Sequence, residues 1–152
     1  MSKTLKYIGI GVIAFAVIIQ FFGGDKPEVS VQNPGDIHQV LEIDQEVSRI
    51  LRVACYDCHS NETIYPWYAS VAPVSWLVIH DVDEGRDELN FSTWADYPLK
   101  RQNHKLDEII ELVEEGEMPM AVYKITHPEA RLTGEEIKLV VDWARKSMVP
   151  EE

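Results

Sequence analysis

Cysteine is nearly missing from this chain of 152 residues: only Cys55 and Cys58 occur. Without a second Cys pair, a four-cysteine zinc site is excluded. Basic residues are also scarce. Fourteen Lys plus Arg face 26 Asp plus Glu, for a formal net charge of −12 and a pI near 4.8. Such a surface repels phosphate backbones and excludes nucleic-acid binding. It leaves room for a basic protein partner or a cationic ligand. Internal repeats, low-complexity tracts and sustained period-two alternation are absent, so repeat arrays and strand-rich folds are set aside. Disorder throughout is excluded by 45% apolar residues with four Trp, six Tyr and four Phe.

The most informative absence is local. No acid precedes Asp25, and no charge of either sign lies between Tyr7 and Gly24. A helix over that run spans about 27 Å, close to the roughly 30 Å of a bilayer core. Lys3 and Lys6 precede it. Retention of positive flanks in the cytoplasm puts the N-terminus inside and the acidic bulk outside. The sequence Gln20-Phe21-Phe22-Gly23-Gly24 offers no small-residue cleavage site, and no Cys follows for a lipid anchor. Residues 1–24 are therefore expected to be an uncleaved single-pass signal anchor in the cell membrane. The alternatives are a cleaved signal peptide or a core helix. Residues 25–36, rich in Pro, Gly and Asn, read as a flexible linker. A domain over 37–148 would then lie in the periplasm or its extracytoplasmic equivalent.

That domain reads as all-α. Asp44 can cap a helix whose Val47, Ile50, Leu51 and Ala54 fall on one face, leading straight into Cys55. A second helix is expected after Pro73, lined on one side by Val74, Val78, Val82, Gly85 and Leu89. A third is expected to begin near Asn103 or His104 and to stop at Gly116. Thr133 and Glu136 form a capping box for the last, with Leu132 stapled onto Ile137 and a stripe of Ile137, Val140, Val141 and Ala144. Long loops remain at 60–72 and 90–102.

The chemistry is concentrated in Cys55-Tyr56-Asp57-Cys58-His59, the attachment pattern of c-type haem. Two thiols three residues apart can each add to one haem vinyl group. The next residue, His59, is then carried beneath the iron. A redox disulfide lacks a βαβ context here, and zinc would need histidines to complete its tetrahedron.

A second axial ligand is usually Met or His in electron carriers. The candidates are Met118, Met120, His80, His104, His127 and His38. Met118 leads, because Gly116-Glu117-Met118-Pro119 is a breaker-flanked loop between the third and fourth helices. His80 borders an apolar helix side, His127 sits before Pro128, and His104 and His38 look ordinary. Tyr65, Pro66, Trp67, Tyr68, Trp76 and Trp94 could wall the haem. Arg86 and Trp94 could reach its propionates, although Arg86 could equally pair with Asp83 or Glu84.

Several segments together resemble the bacterial haem-binding domain family of exported, c-type cytochrome-like monohaem proteins. They are the anchor, Ala54-Cys55-Tyr56-Asp57-Cys58-His59-Ser60-Asn61-Glu62-Thr63, Tyr65-Pro66-Trp67-Tyr68, Ala72-Pro73-Val74-Ser75-Trp76, Gly85-Arg86 with Leu89-Asn90-Phe91-Ser92, and His127-Pro128-Glu129-Ala130. The resemblance spans roughly residues 37–146. It implies one covalent haem c on a cytochrome c-like helical domain. Gly116-Glu117-Met118-Pro119 and the last helix resemble the Met loop and final helix of small monohaem cytochromes, which raises Met118 above Met120. Met120 stands where such proteins commonly carry another residue. The expected function is electron transfer to or from a redox protein, with a basic docking surface on that partner. The alternative is a haem enzyme or sensor with an open or labile sixth position. A peroxidase would want a distal acid–base group with a polarising Arg beside it, and the electron carrier ranks above that reading.

Overall fold

The computed structural model describes residues 3–150, and among them every regular element is helical. Helix α1 (Lys3–Ile18) continues through a 3-10 turn, Ile19–Phe21, with no buried residue. Its span Lys3–Phe21 is long and apolar enough to cross a membrane. A helix that is apolar on most sides and buries no residue is the pattern that suits hydrocarbon.

The segment read as a linker is bound to the domain. Ser30 N–H donates to the Asn61 carbonyl at 2.8 Å, Tyr65 Oη donates to Pro27, and Arg86 Nη1 donates to Glu28. A free tether would leave these groups to water. The short helix α2 (Ile37–Val40) closes this segment with Ile37 fully buried.

Helix α3 (Gln45–Ala54) starts where expected. Asp44 Oδ1 accepts the N–H groups of Glu46 and Val47, both at 3.0 Å, and Val47, Ile50, Leu51 and Ala54 are buried. It ends at Cys55, and one further helical turn, α4 (Tyr56–His59), carries the attachment motif. Helix α5 (Val74–Glu88) packs on α4. Only Val82 and Gly85 are buried on it, and Val74 is exposed. The expected five-residue apolar side thus holds for its C-terminal half alone. The N-terminal half, with Val74 and Val78, lines a surface cavity.

Helix α6 (Leu99–Glu114) begins four residues before Asn103, directly after Pro98. Its first turn, Leu99-Lys100-Arg101-Gln102, carries no apolar repeat, so periodicity alone starts the helix too late. Gly116 (φ 75°) ends it, in a backbone region that favours glycine. The short helix α7 (Tyr123–Thr126) precedes α8 (Gly134–Ser147), whose capping box is present: Glu136 N–H donates to Thr133 Oγ1 and Thr133 N–H to Glu136 Oε2. Helices α3, α6 and α8 enclose the core, which includes Ile50, Leu51, Leu106, Val140 and Trp143. The expected loops are largely ordered as 3-10 turns at Trp67–Ser70 and Phe91–Asp96. The second of these buries Phe91 and Trp94.

Candidate haem site

A cavity of about 510 Å³ lies beside α4, and Cys55, Cys58, His59 and Met118 all line it. That volume is within the roughly 300–1,000 Å³ of cofactor pockets. Its walls come from α3, α5, α6, α8 and the loop after α6, and they are mostly apolar.

His59 is the best-defined part. Its Nδ1 lies 2.8 Å from the Gly85 carbonyl and 3.1 Å from that of Leu89. Two carbonyls can only accept, so Nδ1 carries the proton and Nε2 keeps its lone pair. This is the outer-shell arrangement that orients a metal-binding histidine and raises its basicity. Burial holds the imidazole below its ordinary pKa, against the pull of the Leu89 and Gly85 carbonyls. The ring is therefore neutral and able to ligate at neutral pH.

Gly85 makes that contact possible. A Cβ there would stand 2.7 Å from the Cys58 carbonyl oxygen, so only glycine lets α5 approach α4 this closely. The motif's two middle residues are also tied down. Tyr56 Oη donates to the buried Asp36 carboxylate and stacks on Phe91. Asp57 accepts from Ile64 N–H at 2.9 Å and Tyr123 Oη at 2.8 Å. Helix α4 is thus positioned before any ligand is considered.

Both cysteines are free thiols. Burial pushes Cys55 up to about 12, with Cys58 adding to the shift. Burial does the same for Cys58, also to about 12, aided by Asp57 and Asp81 and opposed by Arg86. Thiol–disulfide exchange centres have depressed thiol pKa values, and these are raised. Among the described residues no group of three or more His, Cys, Asp or Glu is placed to hold a metal ion.

The other candidate ligands separate cleanly. Met118, Met120 and His80 line the same cavity as His59. Met120 also lines a second, adjoining cavity of about 350 Å³, whereas Met118 does not. His38 is no ordinary linker residue: its Nδ1 contacts Asp36 and Tyr56, and its Nε2 contacts Ser48 Oγ at 2.9 Å. His104 is exposed and pairs with Glu108. His127 stacks on Tyr123 at 4.1 Å, with its nitrogens on Glu129 and Tyr68. These three lie off the larger cavity.

Several expected wall residues also lie elsewhere. Tyr65, Pro66 and Tyr68 line the smaller cavity, Trp67 and Trp76 are exposed, and Trp94 is buried against Tyr97 with its Nε1 unpartnered. Arg86 pairs with neither Asp83 nor Glu84. It spends its donors on the Ser60 and Glu28 carbonyls and Thr63 Oγ1, clamping the loop after the motif. Lys105 was not foreseen. It is the one Lys or Arg on the larger cavity, buried, with Nζ 2.6 Å from Glu108 and 3.4 Å from Glu88. Its place in the repeat, one residue before buried Leu106, was the available signal.

The residues present fit haem: a neutral, carbonyl-oriented imidazole, two adjacent thiols and an apolar cavity of cofactor size. The family model for haem-binding domains matches residues 14–146. This chain belongs to the haem-binding domain family. That match begins inside α1 and ends in α8, so it takes in the whole cavity. No curated protein and no solved structure matches the chain.

Proposed function

We propose that this haem-binding domain is a membrane-tethered monohaem electron carrier with haem c bound through Cys55 and Cys58. The observation that carries the reading is the Gly85 and Leu89 carbonyl pair on His59 Nδ1, which leaves Nε2 as a ready iron ligand in the motif Cys55-x-x-Cys58-His59. When bound, the haem supplies a one-electron centre; the protein supplies attachment, orientation and a dry wall. Met118 is the proposed second ligand, supported by its place on the larger cavity alone. A thioether is soft and neutral, and so favours the ferrous state. Lys105 is already paired with Glu108 and Glu88 on the cavity wall, where it balances their charge.

The loop 116–120 offers two thioethers and a proline to the cavity, soft neutral groups suited to closing an iron site. That composition supports electron transfer over peroxide chemistry. The N-terminus is assigned to the cytoplasm and the haem domain to the opposite side, by Lys3 and Lys6 before the span. The redox partner is assigned a basic docking surface, because the chain carries −12.

Optical spectra of the purified protein, followed by extraction in acidified organic solvent, test this. The expected result is a low-spin haem spectrum in both oxidation states, with pigment that stays on the polypeptide. Complete extraction would overturn thioether attachment. A high-spin spectrum with ready binding of carbon monoxide or peroxide would replace the carrier with an enzyme or sensor.

A further inference from the structure

We propose that the haem domain presses one uncharged face onto the bilayer surface, beside the point where its own anchor emerges. The proposal rests on reading α1 as a membrane span. In so acidic a chain, no charged side chain occurs from Thr63 to Ile79, nor from Met118 to Tyr123. The fold brings these two segments together: Ile64, Val74, Leu77 and Val122, with Ile125, line the smaller cavity jointly. Ile64 is 78% exposed, Trp67 80% and Ile125 71%. None of these residues lines the larger cavity, so the haem reading does not account for them. An exposed apolar patch of this kind marks a contact surface.

What covers it is indicated by the anchor. Gln20 at the end of the span exchanges two hydrogen bonds with the Ala72 backbone, at 2.9 and 3.1 Å. The Trp76 indole N–H donates to the Phe22 carbonyl, and Lys26 Nζ donates to Ser70 Oγ. Residues 70–76 are therefore held at the depth of Gln20 and Phe22, where hydrocarbon gives way to headgroups. Trp76 stands in that layer, and exposed Trp67 opens the 3-10 turn that ends at Ser70. Tryptophan is enriched in that layer because its ring is apolar and its N–H is polar. A basic protein partner would require free, exposed acids on this face, and neither segment has one. Of the two acids lining the cavity, Asp57 already accepts from Ile64 N–H and Tyr123 Oη, while Asp81 is half-buried. The occupant is the lipid interface.

The full-length haem-loaded chain in phosphatidylcholine–phosphatidylglycerol nanodiscs tests the proposal. A nitroxide is placed by Trp67→Cys, by Ile125→Cys should the first variant not fold, and by Lys138→Cys on the exposed side of α8. At 67 or 125, oxygen should relax the label several-fold more effectively than a water-soluble nickel chelate; at 138 the order should reverse. Equal chelate access at all sites overturns the proposal. So does shielding from both reagents in particles holding two chains, which would assign the face to a second copy. Wild-type chain labelled in parallel shows whether Cys55 and Cys58 are free, so failure of thioether attachment is read separately. A chain that never enters the nanodiscs refutes the span and this proposal together.

Discussion

The two walls of the larger cavity are built on different terms. On the His59 wall every degree of freedom is taken: two carbonyls hold Nδ1, Gly85 sits in van der Waals contact with Cys58, and Tyr56 and Asp57 are each tied to another segment. On the wall that carries Met118, the Met118 backbone makes one hydrogen bond, to the Leu112 carbonyl at 3.1 Å, and two thioethers stand two residues apart. Where the backbone is over-determined, ligand identity follows from the fold. Where flexible unbranched side chains compete, the iron itself helps to choose. The comparison also explains why carbonyl-bound His59 needs no other cation or carboxylate to set its tautomer.

The largest effect should come from disturbing the rigid wall. Gly85→Ala forces a Cβ toward the Cys58 carbonyl, and helix α5 must move away. Overpacking of this kind costs about 1–3 kcal/mol. Because the shift also strips the carbonyls from His59, holoprotein yield should fall sharply. Chemical unfolding together with the haem-to-protein absorbance ratio measures both. A variant with wild-type stability and full haem content would show that the rigid wall is not needed.

Changing the other wall should alter the haem rather than the fold. Met118→Ala should abolish the ferric sulfur-to-iron band in the near infrared and lower the potential by on the order of 0.1 V, a fraction of the ~0.8 V that axial ligands can span. Met120→Ala should leave the band in place. The reverse pattern would move the ligand to Met120, and a high-spin His80→Ala protein would move it to His80.

The smallest effect lies behind the rigid wall. Burial pushes the Asp36 carboxyl up, but hydrogen bonds from the His38 side chain, the His38 backbone and Tyr56, with the His38 charge, outweigh this and leave it below its ordinary 3.8. The folded protein thus binds this proton less readily than the unfolded chain. Its stabilising contribution is complete above pH 3.8 and disappears as the pH falls through the lower folded value. Asp36→Asn should cost about 0.5–1.5 kcal/mol at pH 7, the net worth of a typical hydrogen bond, since Asn keeps the shape and one acceptor. Urea titrations should show the gap from wild type closing below pH 3.8. A gap that stays constant with pH would assign the effect to packing alone.

Local signals were legible where one residue type satisfies one nearby need. Asp44 and Thr133 announce helix starts because an oxygen acceptor there meets an orphan N–H within three residues. The motif Cys55-Tyr56-Asp57-Cys58-His59 announces its chemistry for the same reason. The start of α6 was missed because a polar first turn has no periodicity to read. His38, Arg86 and Trp94 were misplaced because their partners are distant in sequence: Tyr56, Glu28 and the core.

The sequence alone thus determined an all-helical domain behind an apolar N-terminal helix, and the thiols and imidazole that a haem would use. Those properties depend on neighbours within a turn or two. Tertiary structure decided which histidines are already engaged, that Gly85 and Leu89 orient His59, and that two uncharged segments some forty residues apart form one face. Each of these depends on backbone groups meeting across separate helices. Side-chain patterning along one helix cannot encode such a meeting; close packing between helices creates it.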